Sequence, residues 1–326
     1  MKPVILRTDT EVHITGDTLN DLRRVADVVT SENNDEETLI RDAEDADLII
    51  VSCFTKITAR VIETARKLKG IVKYGVGVDN IDLEAATRRG VLVVNCPEYG
   101  AETIADLAFT LMLCLARKII EIDREMRRRA WIWPSPEYIG VDIFGKTLGI
   151  IGLGRIGKAM ARRAGGFGME TLVYDPYVTD GLIRQYNGEP VGLDELLRRS
   201  DFVSIHCILT PETRGLIGKR ELKMMKKTGF IIDVSRGAII DEAAIITALR
   251  EGWIAGAGFD VFSEEPLSLD HPLFDLDNLI LTPHLAWYTQ GAFDRLEREA
   301  VQRALEILEG KTPKNVVNVE VLDRLG

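Results

Sequence analysis

The sequence predicts an α/β chain made of two doubly wound parallel-sheet domains. Three observations carry that expectation. Short apolar runs alternate with helical patterns through nearly all of the 326 residues, as in a parallel sheet covered by helices on both faces. The alternation breaks once, at a long apolar helical stretch that begins at residue 101. A second alternating series follows it, so the length divides into about two domains.

In chain order, "VILRTD" reads as a strand and "DLRRVADVV" as a helix. "ADLIIVSC" is a strand, "TARVIETARKL" a helix and "GIVKYG" a strand. "LEAATRRG" is a short helix ending at Gly90, and "VLVVNC" is a strand. Residues 101–129, "AETIADLAFTLMLCLARKIIEIDREMRRR", read as one helix. Its first half is apolar on most sides and must be buried, either against another domain or against another subunit. Arg127, Arg128 and Arg129 at its end read as a solvated or interface face. Further strands are expected near 147–151, 171–174, 202–206, 229–234, 256–261 and 278–283, with helices between them. The closing helix, "DRLEREAVQRALEILEG", is amphipathic, with Gly310 as its C-cap. If the chain crosses between domains near 101 and returns near 287, one domain comprises 1–99 plus 288–326 and the other 100–287.

Composition removes several function classes. A net charge of −10 disfavours nucleic acid, which calls for a basic face. It leaves small anions open, because a few local cations reverse the field inside one cleft. Cys53, Cys96, Cys114 and Cys207 form no CxxC pair, so no metal is expected, and free thiols suit a reducing compartment. The apolar core of "MKPVILRTDT" is too short for a signal peptide. "LAFTLMLCLA" is ten residues long, too short to cross a bilayer as a helix. A cytoplasmic enzyme or binding protein without a membrane partner is what remains.

"GIIGLGRIGKAM" places Gly152, Gly154 and Gly157 in a G-x-G-x-x-G pattern after an apolar strand and at the opening of a helix. Gly152 permits the tight turn. Gly154 lets a pyrophosphate approach the backbone, and Gly157 lets helix and strand pack closely. The amides of Arg155 and Ile156 open the helix and face the phosphates. Asp175 ends the next strand, 18 residues after Gly157, where it can accept hydrogen bonds from both ribose hydroxyls. Its charge repels a 2′-phosphate, and neither Pro176 nor Tyr177 offers a cation, so NAD is preferred to NADP.

In an open parallel sheet, ligands sit beyond the carboxyl ends of the strands. Polar residues gather there: His206 after "DFVSI", Arg236 after "FIIDVS", Asp260 in "GFDVF", Glu265 just beyond, and His284 after "LILTP". A histidine titrating near neutrality can carry a proton, a carboxylate beside it favours the imidazolium, and an arginine binds a carboxylate through two parallel hydrogen bonds. Together these suit hydride transfer with a nicotinamide coenzyme.

The segments "GVGVDNID", "GKTLGIIGLGRIG", "VSIHCILTPET", "DVSRGAIID", "FDVFSEEPL" and "TPH" resemble the D-isomer-specific 2-hydroxyacid dehydrogenases over nearly the whole chain. The resemblance implies two Rossmann-like or flavodoxin-like domains with the active site in the cleft between them. It implies His284 as acid/base, Glu265 as the carboxylate that raises its pKa, and Arg236 as the group that orients the 2-oxo acid. It assigns Val76 and Gly77 to the substrate carboxylate. Thr103, His206, Cys207, Val234, Ser235, Arg236, Asp260, His284 and Trp287 are assigned to the cofactor, alongside the glycine turn. It also implies a homodimer formed through the nucleotide-binding domain.

Departures narrow the substrate. Ser52 stands where phosphoglycerate dehydrogenases carry an arginine, and Glu265 where formate dehydrogenases carry glutamine. "AWIWP" and "HLAWYTQ" are similar to the branch containing the C-terminal-binding proteins. There Trp287 would close over the substrate side chain, favouring an apolar or sulfur-containing 2-oxo acid. That likeness keeps an alternative in view, an NAD(H)-sensing interaction protein with incidental turnover.

Overall fold

The computed structural model describes residues 2–325. The chain divides into two compact units, 1–100 with 288–326, and 101–287. The first division falls after Gly100, one residue beyond the border read from the sequence.

The first unit holds five parallel strands: β1 (Val4–Arg7), β2 (Asp27–Thr30), β3 (Leu48–Val51), β4 (Gly70–Lys73) and β5 (Leu92–Val94). Their order is β2-β1-β3-β4-β5, reversing between β1 and β3. β3 and β4 are buried at every position, which is why "LIIV" and "GIVK" do not alternate. The helices Gly16–Val25 and Gln290–Leu308 pack together, and the latter lies against β3 and β4. Gly70 makes this possible, since a Cβ there would stand 2.8 Å from the Ile307 side chain. The Gln290–Leu308 helix closes as a Schellman motif: Gly310 has φ 72°, its N–H donates to Ile307 O, and Lys311 N–H donates to Glu306 O.

Two expectations for this unit need correction. "DLRRVADVV" is not one helix: the helix stops at Val25, and Ala26 is extended. Residues 27–30 pair with β1 as an edge strand, and that pairing overrides a helical pattern of only a few residues. The helix Glu36–Ala43, capped by the Asp35 side chain on Thr38 N–H, was not anticipated; its acidic first turn masks a short apolar stripe.

The second unit holds seven parallel strands: β6 (Thr147–Ile151), β7 (Glu170–Tyr174), β8 (Gly188–Pro190), β9 (Phe202–Ile205), β10 (Phe230–Asp233), β11 (Gly256–Phe259) and β12 (Leu279–Leu281). Their order is β12-β11-β10-β9-β6-β7-β8. It reverses between β6 and β9, so a ligand crevice is expected at the carboxyl ends of that pair. β8 escapes a reading by pattern because "GEP" has no apolar period; its proline is tolerated at a sheet edge.

The stretch 101–129 is two helices, Ala101–Arg117 and Ile119–Arg129, broken at Lys118 with φ 52°. The break has a local cause. Val141 N–H donates to Ala116 O at 2.7 Å, taking the acceptor that a continuous helix would use. Gly140 allows the approach, because a Cβ there would lie 2.7 Å from the same oxygen. Phe109, Leu111, Met112 and Leu115 of the first helix are buried, each such side chain contributing about 1.5–3 kcal/mol. No residue of the second helix is buried.

Candidate active site

The glycine turn follows β6 directly. Gly152 has φ 92°, and a Cβ on it would stand 2.7 Å from Cys207 N and 2.9 Å from the His206 carbonyl carbon. The turn after β6 therefore lies against the turn after β9, at the point where strand order reverses. A Cβ on Gly157 would lie 2.1 Å from Gly152 O, so the helix Arg155–Gly166 can start here only without one. Gly154 is different. Nothing lies within 4 Å of a Cβ built on it, and it caps the helix without a side-chain hydrogen bond. The first N–H groups, from Arg155 onward, stand at the positive end of the helix dipole. This cradle fits a dinucleotide pyrophosphate.

Asp175 follows β7 and holds the turn from the side. Its Oδ2 accepts from Leu153 N–H at 2.8 Å and its Oδ1 from Tyr177 N–H at 2.9 Å. Each oxygen keeps a lone pair for a ribose hydroxyl.

The ends of β9, β10 and β11 behave differently from one another. His206 brings no ionisable group to the edge. Its ring is buried, Nε2 lies 2.8 Å from Ser204 Oγ, and Nδ1 has no partner. Burial pushes its pKa down to about 3, so the imidazole is neutral at pH 7. The Cys207 thiol is pushed up to about 12 by burial and by the nearby Asp233 and Asp175 charges, so it is no thiolate. Val234 is buried in the turn after β10, and Ser235 and Arg236 are half-buried there. Arg236 Nη1 donates to Ser235 O at 2.8 Å.

Asp260, fully buried after β11, organises the next turn. Its Oδ1 accepts from Thr282 Oγ1 (2.6 Å) and Leu285 N–H (2.8 Å), and its Oδ2 from Ala286 N–H (2.8 Å). Burial raises its pKa against the pull of these donors. His284 N–H donates to Asp260 O at 2.7 Å, and His284 adopts φ 56°, a left-handed conformation unusual for a residue with a Cβ. Asp260 thus braces the turn that aims the imidazole.

His284 Nδ1 lies 2.7 Å from Glu265 Oε2, with the two side chains 19% and 25% exposed. Glu265 Oε1 accepts from Phe262 N–H at 2.9 Å. Burial pushes the Glu265 carboxyl up. The His284 hydrogen bond and charge, the Phe262 amide and the Arg236 charge outweigh that and hold it below the usual range. Residues 236, 265 and 284, far apart in sequence, therefore share one electrostatic neighbourhood. Nδ1 is the nitrogen of His284 that Glu265 holds.

The other expected residues are Thr103, Trp287, Val76 and Gly77. Thr103 is buried on the helix Ala101–Arg117, and Trp287 is half-buried at the end of this unit. Val76 and Gly77 belong to the first unit, in the turn after β4, where Asn95 Nδ2 donates to Val76 O at 2.7 Å. Sequence reasoning passed over Asp233, whose Oδ1 accepts from both Ser235 N–H (2.8 Å) and Ser235 Oγ (2.5 Å). The Asp-x-Ser spacing, typical of a side chain that hydrogen-bonds two residues on, was the available signal.

Comparison with known proteins places these observations. Residues 109–286 match the family described as D-isomer specific 2-hydroxyacid dehydrogenase, NAD binding domain. The chain is 42% identical over 289 residues to a glyoxylate reductase of Korarchaeum cryptofilum, covering 88% of this chain and 87% of that protein. It is 41% identical over 304 residues to a D-3-phosphoglycerate dehydrogenase of Methanocaldococcus jannaschii, covering 93% of this chain and 57% of the longer relative. The structure of a D-lactate dehydrogenase from Aquifex aeolicus, complexed with NAD and lactic acid, superposes with a TM-score of 0.87 at 28% identity, covering 97% and 99% of the two chains. The glycine cradle, the strand order and these relatives agree: this chain belongs to the D-isomer-specific 2-hydroxyacid dehydrogenases and is an NAD-dependent oxidoreductase of 2-hydroxy and 2-oxo acids.

Proposed function

We propose that the chain reduces a small 2-oxo acid, with glyoxylate the first candidate, using Arg236, Glu265 and His284. The observation that carries this reading is the 2.7 Å pair between His284 Nδ1 and Glu265 Oε2, with Arg236 acting on the same carboxylate. The Arg236 guanidinium receives the substrate carboxylate and stabilises charge growing on the carbonyl oxygen. The Glu265 carboxylate favours the imidazolium of His284, which gives its Nε2 proton to that oxygen. Bound NADH supplies the hydride to C2. Gly152, Gly154, Arg155, Ile156, Gly157 and Asp175 hold the coenzyme. Thr103, His206, Cys207, Val234, Ser235, Asp260 and Trp287 are further cofactor neighbours, and Val76, Gly77 and Trp287 complete the substrate set. The 1–99 plus 288–326 segment is the substrate-binding domain and 100–287 the dinucleotide-binding domain.

The choice of glyoxylate leans on the glyoxylate reductase relative. Ser52, buried and bonded to Asp9, offers no cation for a phosphorylated substrate. The reading as an NAD(H)-sensing interaction protein, and the narrower likeness to the C-terminal-binding protein branch, gain nothing from relatives named as reductases and dehydrogenases.

We also propose that the protein is a cytoplasmic homodimer formed through the nucleotide-binding unit. Ile119, Trp131, Trp133 and Ile139 are exposed there, with Trp133 at 78%, a large apolar side chain left in water unless a second copy covers it. The deciding experiment is a panel of 2-oxo acids, glyoxylate, pyruvate, hydroxypyruvate and 3-phosphohydroxypyruvate among them, assayed with NADH and NADPH. Oxidation of NADH fastest with glyoxylate is expected. Tight NADH binding with no oxidation across the panel would sink the proposal.

A further inference from the structure

The carboxyl at the end of β10 has no part in the chemistry above, yet the fold puts it at the centre of the site. Asp233 is 1% exposed on a central strand. One oxygen takes both Ser235 donors, and the other, Oδ2, is buried without a partner. Beside it lies a cavity of about 20 Å³ lined also by Gly237, Phe259 and Phe262. That is room for one water and no larger ligand. Its backbone oxygen accepts from Asp260 N–H at 3.0 Å, joining it to the residue that braces His284.

We propose that Asp233 is a positioning residue: by clamping Ser235 at both N–H and Oγ, it fixes the turn from which Arg236 meets the substrate carboxylate. This rests on the role given to Arg236 above. The turn is closed on its far side by Ile239 N–H, which donates to Arg236 O at 3.0 Å. Gly237 already abuts the Phe262 backbone so closely that a Cβ would stand 2.1 Å from its carbonyl carbon. Arg236 itself spends one donor on the Ser235 carbonyl, so moving Ser235 moves the guanidinium.

Ionisation of the same carboxyl adds a second handle. Burial raises its pKa to about 7, against the Ser235 donors and the Arg236 charge. The groups facing it are Arg236 on its own turn, Cys207 after β9, Asp260 after β11 and Glu242 across the cavity. Protonation at Oδ2 leaves Oδ1 as an acceptor for Ser235, so the geometry survives while the charge beside Arg236 is removed. An incoming anion then meets a less compensated guanidinium, and KM falls as the pH drops through about 7.

The test compares Asp233→Ala and Asp233→Asn in the full-length protein, with glyoxylate as substrate and NADH affinity followed by fluorescence. Asp233→Ala removes both acceptors and is expected to raise KM about tenfold or more, as for loss of hydrogen bonds to a charged acceptor. NADH affinity should fall by a smaller factor than KM rises. Asp233→Asn keeps an acceptor for Ser235 and should restore most of the KM, with a smaller rise from about pH 6 to about pH 8 than the wild type shows. An unchanged KM in Asp233→Ala overturns the proposal. If that variant does not fold, Asp233→Asn decides: a pH dependence of KM identical to the wild type overturns the proposal, and a flattened one supports it. Arg236→Ala serves as the separate control. An unchanged KM there would mean that the role assigned to Arg236 has failed, whatever Asp233 does.

Discussion

Replacing Glu265 with glutamine isolates the charge in the proposed proton-transfer pair. The side chain keeps its length, and an amide oxygen can still accept from His284 Nδ1–H. What disappears is a negative charge whose nearest oxygen lies 2.7 Å from the imidazole. With charge centres roughly 4 Å apart, the attraction is about 1 kcal/mol in water and about 4 kcal/mol at an effective dielectric constant of 20. The two side chains are 19% and 25% exposed, so an intermediate value of about 2 kcal/mol is reasonable. That energy corresponds to roughly a thirtyfold factor in rate for a step in which the ring carries positive charge beside the carboxylate. In steady-state reduction of a 2-oxo acid, kcat/KM should fall accordingly. Turnover at about pH 8 should fall ten- to a hundredfold. The reverse oxidation needs the neutral imidazole as base, so it should lose less at the same pH. A glutamine variant with turnover within about twofold of the wild type would refute the pairing argument.

The glycine turn offers a paired test. Gly157→Ala forces a Cβ to within 2.1 Å of Gly152 O, and that backbone cannot yield, so both Tm and NADH affinity should drop. Gly154→Ala meets nothing within 4 Å; its Tm should stay near the wild type while NADH affinity falls, and unchanged affinity would move the phosphates elsewhere. Asp175→Ser should raise affinity for NADPH relative to NADH, read by fluorescence titration, and should lower Tm because Leu153 N–H loses its acceptor. The Asp233 carboxyl, lifted from 3.8 to about 7, releases its proton on unfolding between those values. Its contribution to stability is therefore full below about pH 4 and lost as the pH rises through about 7. Asp233→Asn should flatten that slope in a Tm-versus-pH series, and an unaltered slope would contradict the raised value. Trp133→Glu should shift the protein to monomer in sedimentation analysis, and an unchanged mass would remove Trp133 from any interface.

Local chemistry made much of this protein legible before its fold was known. Buried parallel strands need continuous apolar runs, so β3, β4 and β6 announce themselves. The glycine turn is readable because only residues without a Cβ tolerate φ near 90° or a carbonyl 2.1 Å away, and those constraints act within six residues. Where pairing rather than pattern decides, the sequence misleads: β2 forms because β1 offers an edge, and β8 because β7 does. The helix from residue 101 stops at Lys118 because Val141, distant in the chain, takes the Ala116 carbonyl. Residue types at strand ends pointed to Arg236, Glu265 and His284, but only packing tells which end-of-strand groups stay exposed. His206, as good a candidate by composition, turns inward to Ser204 and loses its charge to burial. Asp233 and Asp260 became visible as braces only once the turns they hold were folded around them. A hydrogen bond between residues 260 and 286 depends on how two adjacent strands end, and no short window of sequence encodes that.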